Sequence, residues 1–538
     1  MARLRSSGVR VSTTTPEVIS RGRGERARAG AFPDRRFASL LRSPWALLTA
    51  GFIVSRLVYA LLGVRFDATP YPEFWQYLDP GAVRRDPAGS FLYFHIQPPL
   101  YNLAVAAAAK LSPFGVGATM HATFVAVGYT LAAASFAVAE RLGFTRRQAL
   151  VVALVVSCNP TAILFENLLF YSYPTAALMV VATLLLMRYA DSRCRRDGFL
   201  FFSALAAVIL IRSLYHPVWF LVAGVALLVL LVPTRRRDIL AVAIVPLLIV
   251  TAVFTKNAIL FGELSSSSWF GMNLARASTL QIPLDERVSL VAQRRLSVLA
   301  LRPTFEYYAT YADTGYGTPS VSPSGHEVLD RPVRSDGSPN FNYEGYLGIY
   351  RQYREDAFTS MRLRPAAYLR GQALAYAIYL SSPAEYSAGK AWDRNRSKIS
   401  ALDATWRTAA YGQIPRALTA STREGRGELA NRALMAGIVT MLSLVALLVF
   451  GVRLLWTVLR RRRAVTPPVL GVLFGWATIA YVTLAGNALD VGENQRFRYD
   501  VEPLLLLLTA WLVREGWQRW KARPVMGPPE PAPRAADT

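Results

Sequence analysis

The sequence places ionisable side chains next to the ends of apolar segments, where they could do chemistry. Asp67 follows the first apolar segment, and the stretch ENQRFRYDVEP brings Glu493, Arg496 and Arg498 in front of the last one. A carboxylate within hydrogen-bond reach of a hydroxyl group can take its proton. The planar guanidinium of arginine binds phosphate oxygens through paired hydrogen bonds. Side chains of these types could take a proton and could bind an anionic group such as a phosphate.

Further polar side chains lie at the ends of other apolar segments or in the loop that contains Asp67. Polar groups at membrane depth cost free energy, so their presence there indicates a role. Lys256 could contribute a second phosphate contact, as a point charge rather than a planar fork. The remaining candidates for substrate binding are Glu73, His95, Gln97, Glu166, Arg212, Trp269 and Glu493.

Each candidate also has a structural alternative. Asp67 could pair with Arg65 at the membrane surface, and the two late arginines could anchor the chain at the interface. The positive-inside rule disfavours arginine on the outer face, which favours the phosphate contact for these arginines. Trp269 could stack on a sugar ring, or it could belong to an ordinary Ser-rich loop. Glu166 could serve only to hydrogen-bond within the helix bundle.

The composition indicates an integral membrane protein. Of 538 residues, 53% are hydrophobic and 18% are charged. Several apolar runs reach the roughly 20 residues that a helix needs to cross the hydrocarbon core. An open sheet cannot cross a bilayer, because lipid offers no partner for unpaired backbone groups. We therefore expect an all-α polytopic membrane protein.

The net charge of +25 would suggest nucleic-acid binding in a soluble protein. Here the basic residues cluster between apolar runs, at Arg146-Arg147, Arg193 to Arg196, Arg235 to Arg237 and Arg460 to Arg463. Cytoplasmic loops of membrane proteins carry this excess of Lys and Arg. We therefore predict membrane lipid as a partner and no nucleic-acid partner. The two cysteines provide no disulfide framework.

The order of segments predicts about ten transmembrane helices, with both termini cytoplasmic. A basic, disordered cytoplasmic tail (1–44) precedes an N-terminal transmembrane module (45–256). After its first span, near 45–64, a structured first external loop (65–98) leads into an interfacial helix (99–113), which is too short to span. The other spans are placed near 117–139, 147–165, 172–189, 197–214, 216–233, 238–256, 432–457, 467–487 and 500–515.

A long segment, 257–431, follows an outward span and should form a mainly helical external domain. Tyr346, Ile349, Tyr353 and Phe358 recur at helical spacing, and Pro365 favours the start of a second helix. The C-terminal transmembrane helices (432–515) and a cytoplasmic tail (516–538) complete the chain. The candidate residues then collect on the extracytoplasmic face of a multi-pass protein of the cell membrane.

An external loop with an early Asp, its closing QPPLYNL and the late ENQRFRYDVEP resemble the GT-C glycosyltransferases. These membrane enzymes use polyprenyl-phosphate sugars and include protein O-mannosyltransferases, aminoarabinose transferases and arabinofuranosyltransferases. The resemblance implies a polyprenyl-phosphate-sugar donor and an extracytoplasmic glycan, lipid or protein acceptor. In the family an acidic residue of this loop is the catalytic base or helps to place the acceptor or a metal, a role that falls on Asp67.

The sequence departs from the family where an Asp-Glu or Asp-x-Asp pair is frequent, because Asp67 is followed by Ala-Thr-Pro. A divalent metal, Mg or Mn, therefore stays open, and no other cofactor is expected. Single displacement with inversion needs one carboxylate base, whereas a glycosidase needs two facing carboxylates. The alternative function is a membrane transporter or lipid-linked sugar flippase. That alternative predicts polar groups at mid-depth and matching halves of the chain, neither of which is evident.

Overall fold

The computed structural model describes residues 43–230, 236–317, 319, 323–414, 428–461 and 465–522. The predicted N-terminal tail, except its last two residues, lies outside the described residues. The predicted C-terminal tail lies outside them from residue 523 onward. Helices dominate the described residues, whose only β structure is two isolated bridges, Asp67 with Leu168 and Val333 with Pro339.

The α-helices are numbered here in chain order. Before residue 231 they are α1 (Pro44–Leu61), α2 (Pro70–Glu73), α3 (Pro80–Arg85), α4 (Pro87–Leu92), α5 (Pro99–Leu111), α6 (Gly115–Arg141), α7 (Arg146–Cys158), α8 (Pro160–Glu166), α9 (Ser172–Ser192), α10 (Arg195–Ile211) and α11 (Pro217–Leu230). The long middle stretch contains α12 (Arg236–Phe261), α13 (Phe270–Ala277), α14 (Leu284–Ala292), α15 (Glu327–Asp330), α16 (Tyr346–Leu363), α17 (Pro365–Leu380), α18 (Lys390–Lys398), α19 (Ser400–Trp406) and α20 (Glu428–Leu434). The last helices are α21 (Ile438–Arg461), α22 (Pro467–Leu489), α23 (Asn494–Tyr499) and α24 (Glu502–Lys521). Short 3-10 turns at Thr279–Gln281, Val298–Leu301, Tyr308–Thr310, Ala312–Thr314 and Pro383–Glu385, and a π turn at Arg407–Tyr411, complete the list.

Six of the described helices are long and apolar enough to cross a membrane: α1, α6, α9, α12, α21 and α22. The pair α7 and α8 makes a seventh candidate, although its two halves meet at 52°. The bend lies at Asn159–Pro160, where the Asn159 side chain caps α8 and proline removes a backbone donor. Helices also form at the other predicted spans, in α10, α11 and α24, but these do not meet the same test of length and composition.

Helix α9 lies at the centre of the bundle, because α6, α10 and α22 all pack against it. Most of its side chains are buried, whereas α1 and α21 expose much of their apolar surface. Outer helices of a membrane bundle turn such surfaces toward lipid. The described residues therefore have the architecture of an all-helical membrane protein.

The two helices predicted in the middle segment are present. Helix α16 begins at Tyr346, and α17 begins at Pro365, whose fixed φ suits the first helical turn. Tyr346, Ile349 and Tyr353 are buried as the periodicity indicates. Phe358 departs from the pattern, since it is 46% exposed on the opposite side of α16.

Buried polar groups connect α1 to α8 inside the bundle. Arg56 donates to both oxygens of Glu166, at 3.0 Å and 2.5 Å, and the Tyr173 hydroxyl donates to the same carboxylate at 2.5 Å. Gly128 of α6 packs against this cluster so closely that a Cβ atom there would collide with the Glu166 carboxylate and the Tyr173 hydroxyl. The cluster therefore depends on the absence of a side chain at Gly128.

We predict that Gly128→Ala destabilises the protein, because a methyl group would displace a buried, hydrogen-bonded carboxylate. Overpacking of this kind costs about 1–3 kcal/mol. Gly516→Ala is the matched control, since Gly516 lies in α24 with open space around it. Thermal unfolding in detergent should show a lower Tm for Gly128→Ala and an unchanged or higher Tm for Gly516→Ala. Equal Tm values for the two variants would contradict the packing argument.

Candidate functional site

A cavity of about 670 Å³ lies where the ends of many helices meet. We call it the arginine cavity, because Arg212, Arg276, Arg354 and Arg496 line it. Part of its wall consists of segments between helices, namely the first loop and the α8–α9, α10–α11, α12–α13 and α22–α23 links. Helices α13, α16, α22 and α23 also contribute side chains to the wall. Polar side chains from several distant helix ends therefore meet in one cavity, but of the predicted group Asp67, Lys256, Arg496 and Arg498 only Arg496 lines it.

Two of the arginines are almost completely buried. Arg496 is ion-paired with Glu493 and donates to the Tyr171 hydroxyl at 3.0 Å. The Nε of Arg212 lies 2.7 Å from a carboxylate oxygen of Asp500. Because a guanidinium carries five N–H donors, these partners orient each arginine without using all of its donors.

The other two arginines are more exposed. Arg354 donates to Glu263 at 2.8 Å, and Arg276 lies 3.6 Å from the Asp490 carboxylate. Arg276 packs over Gly492, whose positive φ of 134° and missing side chain both suit this close approach. Glycine at this position therefore allows Arg276 and Asp490 to meet.

The arginine cavity contains two carboxylates with opposite pKa shifts. Burial raises the pKa of Asp490 to about 6, although Arg276 opposes the shift. Burial acts in the same direction on Glu493, but the neighbouring Arg496 and Arg276 outweigh it and lower the pKa of Glu493. At neutral pH Glu493 is thus a fixed negative charge. Asp490, with a pKa of about 6, is close to the range in which a carboxylate acts efficiently as a base.

The predicted contact of Arg498 with this site is not made. Arg498 is fully buried, forms an ion pair with Glu502 at 3.1 Å and lies over the Tyr411 ring. Residues two apart on a helix point in nearly opposite directions, so Arg496 and Arg498 of α23 cannot face the same cavity. The alternation of arginines in the sequence suits a strand, not the helix that forms here.

Asp67 does not line the arginine cavity. Its backbone pairs with Asn167 and Leu169, and one carboxylate oxygen accepts hydrogen bonds from Thr69 at 3.0 Å and 2.7 Å. The other oxygen is buried and has no hydrogen-bond partner among the described residues. The alternative pairing with Arg65 is also absent, because that guanidinium donates to the carbonyl of Ala60.

Three more predicted residues lie elsewhere. Glu73 is exposed at the end of α2. Lys256 lies within α12, which continues to Phe261, and its Nζ donates to the Phe94 carbonyl at 2.6 Å. Glu166 pairs with Arg56 and borders a separate groove of about 610 Å³ between α1 and α6, lined mostly by apolar side chains. The arginine cavity does receive Gln97, Arg212, Trp269, Glu493 and Arg496.

His95 joins the first loop to the middle segment. Its Nδ1 lies 2.6 Å from the Ser268 hydroxyl and its Nε2 lies 3.0 Å from the Asn342 carbonyl. A carbonyl oxygen only accepts, so Nε2 donates and Nδ1 accepts from Ser268. Burial lowers the pKa of His95 to about 3 and keeps the ring neutral. His95 is therefore a structural connection rather than a cavity residue.

Residues missed at the sequence level include Asp490, Arg276, Arg354 and Trp75. Asp490 carries a signal, since it follows α22 directly and shares a short link with Glu493. The other three lie in the first loop or the middle segment, away from the end of any predicted span, so only the tertiary structure identifies them.

The carboxylates of the arginine cavity lie against guanidinium groups. The described ranges contain no group of three or more His, Cys, Asp or Glu residues that could hold a metal ion. In the arginine cavity Asp490, Glu493 and Glu263 each face a guanidinium. Hard cations need several free oxygen ligands, and these carboxylates are already paired.

Comparisons with protein-family models, with curated proteins and with solved structures found no match to this chain.

We predict that His95 makes stability depend on pH. The pKa of the histidine is about 3 when folded and ordinarily 6.5, so its contribution is complete above pH 6.5 and is lost as pH falls toward 3. The loss approaches about 1.4 kcal/mol per pH unit. The Tm of the wild type should fall between pH 7 and pH 5, more steeply than that of His95→Gln. His121→Gln, which alters an exposed histidine, should keep the wild-type slope; a wild-type slope in His95→Gln would refute this assignment.

Proposed function

We propose that the protein is an integral membrane glycosyltransferase that moves a sugar from a polyprenyl phosphate to an extracytoplasmic acceptor. The observation that carries the proposal is the arginine cavity, which combines buried guanidinium groups, a carboxylate of raised pKa and aromatic side chains. Phosphate, proton transfer and a sugar ring each require one of these three components. The resemblance of the chain to GT-C enzymes points to the same activity.

The donor phosphate binds to Arg496 and Arg212, with Arg276 beside them. These guanidinium groups lie at helix ends, held in place by Glu493, Asp500 and Tyr171. Charges that are already oriented stabilise a leaving phosphate without reorganising during the reaction. The polyprenyl chain of the donor stays in the membrane, where it needs no polar partner.

Asp490 acts as the base. The acceptor hydroxyl oxygen attacks the anomeric carbon, its proton passes to the Asp490 carboxylate, and the bond from that carbon to the phosphate oxygen breaks. The electron pair of that bond leaves with the polyprenyl phosphate, beside the arginines. One displacement of this kind inverts the anomeric configuration. Asp67 is the base that the family resemblance implies, but it is not among the residues that line the cavity.

The proposed orientation keeps about ten spans, with both termini cytoplasmic and the arginine cavity on the extracytoplasmic face. The basic α9–α10 link, which contains Cys194, is then cytoplasmic, and the segment between α12 and α20 is an external domain. A transporter or flippase is the alternative, and it would move the lipid-linked sugar without breaking a bond.

We predict that Asp490→Asn lowers sugar transfer by at least about 100-fold, because an amide cannot take the acceptor proton. The substitution keeps the side-chain shape, so the protein should still fold. The assay uses purified protein in liposomes with undecaprenyl phosphate carrying radiolabelled mannose, glucose, galactose or arabinose. It follows release of undecaprenyl phosphate together with label in the acceptor fraction of cell-envelope extract.

Asp67→Asn is the matched control, because it alters a buried carboxylate outside the cavity lining; it should keep activity within about threefold. The opposite result, with Asp67→Asn inactive and Asp490→Asn active, would return the base to Asp67. In the wild type, transfer should rise with pH through about 6 and level off above it, since the base must be ionised. Movement of the labelled lipid across the bilayer without bond cleavage would refute the enzyme and support the flippase.

We also predict the sidedness of two positions. In a Cys158→Ser background, a membrane-impermeant maleimide should label Cys194 only after the membrane is permeabilised. Leu284→Cys places a thiol at an exposed position of α14 and should be labelled in intact cells. The reverse labelling pattern would place the arginine cavity on the cytoplasmic face and overturn the proposed orientation.

A further inference from the structure

We propose that one wall of the arginine cavity is an acceptor subsite built to bind a carbohydrate ring, so that the acceptor is a glycan. The inference rests on the proposed function, which requires an acceptor but leaves open a glycan, a lipid or a protein. The wall consists of Trp75, Trp269 and Phe305, with Phe341 packed against all three. We call it the aromatic wall.

Trp75 presents the accessible surface of the aromatic wall. Its indole is 38% exposed, whereas Trp269 is only 5% exposed and meets Phe305 edge to face. Trp75 and Phe305 are stacked, with ring centroids 6.0 Å apart and planes 15° from parallel. That spacing is ordinary aromatic contact, which leaves no room for a ring between them. A ligand must therefore lie on the cavity side of Trp75, supported by the rings behind it.

One residue of the aromatic wall has a strained backbone conformation. Phe305 has a φ of 61°, a left-handed conformation that is unfavourable for a bulky residue. Such conformations cost about 1–3 kcal/mol and persist where the surrounding structure enforces them, often at ligand sites. Here the conformation directs the Phe305 ring into contact with both tryptophans.

Side-chain amides lie in the same cavity and lack protein partners. Gln76, Gln97 and Asn273 all line it, and within the described part of the chain none of their side-chain amides makes a hydrogen bond. Gln97 is only 6% exposed and lines the cavity, so a bound ligand would lie within reach of its amide. A ligand hydroxyl group that pairs with such an amide gains a hydrogen bond in a largely buried site. Each amide offers donors and an acceptor, which match neighbouring hydroxyl groups of a sugar.

The combination distinguishes a glycan from the other acceptors. A sugar has apolar C–H faces for an indole and hydroxyl edges for amides, so one ring satisfies both kinds of side chain. A lipid chain would leave the three amides unpaired. Glu263, a carboxylate that also lines the cavity, is held by Arg351 and Arg354 and is therefore not free to pair with a basic side chain of a peptide.

Direct binding tests the subsite without requiring catalysis. The purified full chain in detergent is titrated with neutral oligosaccharides of two to six mannose, glucose, galactose or arabinofuranose residues, and saturation-transfer NMR gives each Kd. We expect at least one of them to bind, Trp75→Ala to weaken it about tenfold or more, and Trp75→Phe to stay within about threefold. Trp456→Ala, which removes an exposed indole on α21, is the control and should not change Kd.

Two results would overturn the subsite: no oligosaccharide binds, or Trp75→Ala binds as tightly as the wild type. Gln97→Leu is a second test variant, since it should raise the Kd for the oligosaccharide while the aromatic wall stays intact. Failure of the proposed function is distinguishable, because it shows as absent release of undecaprenyl phosphate while oligosaccharide binding and its dependence on Trp75 persist. An unglycosylated Ser/Thr-rich peptide that competes with the oligosaccharide would also count against a glycan acceptor.

Discussion

The ion pair between Arg212 and Asp500 is the interaction on which the site depends most. It joins the α10–α11 link to the α23–α24 link, and both side chains are almost completely buried. Removing one partner of such a pair leaves an uncompensated charge in a low-dielectric interior and commonly costs 3–5 kcal/mol. A pair between two helix ends, far apart in sequence, therefore holds Arg212 in the wall of the arginine cavity.

Two further ion pairs lie in the arginine cavity. Arg496 with Glu493 and Arg276 with Asp490 each combine a guanidinium and a carboxylate in the arginine cavity. The pairs lower the cost of burying charge, and they hold the donors in place before any ligand arrives. Only Asp490 combines burial with a long, 3.6 Å contact to its arginine, so its pKa rises while that of Glu493 falls.

The first loop and the middle segment together form the aromatic wall of the cavity. His95 and Asn342 lock them together through buried hydrogen bonds, including one from the His95 backbone to the Asn342 side chain. Trp75 from the loop and Phe305 from the middle segment then stack in the aromatic wall. Polar donors, a titratable carboxylate and aromatic rings thus meet in one cavity, although they come from parts of the chain that are far apart in the sequence.

The sequence by itself determined the helical membrane class, because apolar length and composition directly reflect what a bilayer permits. It also singled out Gln97, Arg212, Glu493 and Arg496 of the cavity lining, since costly polar groups near helix ends can be recognised without knowing their neighbours, and Trp269 as an indole in a Ser-rich loop. It did not separate Arg496 from Arg498, or bring Asp490 to Arg276. Those outcomes depend on the direction of side chains on a short helix and on a glycine turn, and only packing between distant helices decides them. Asp67 shows the same limit: its position after the first span is readable from the sequence, but its absence from the lining of the arginine cavity is decided by the tertiary structure.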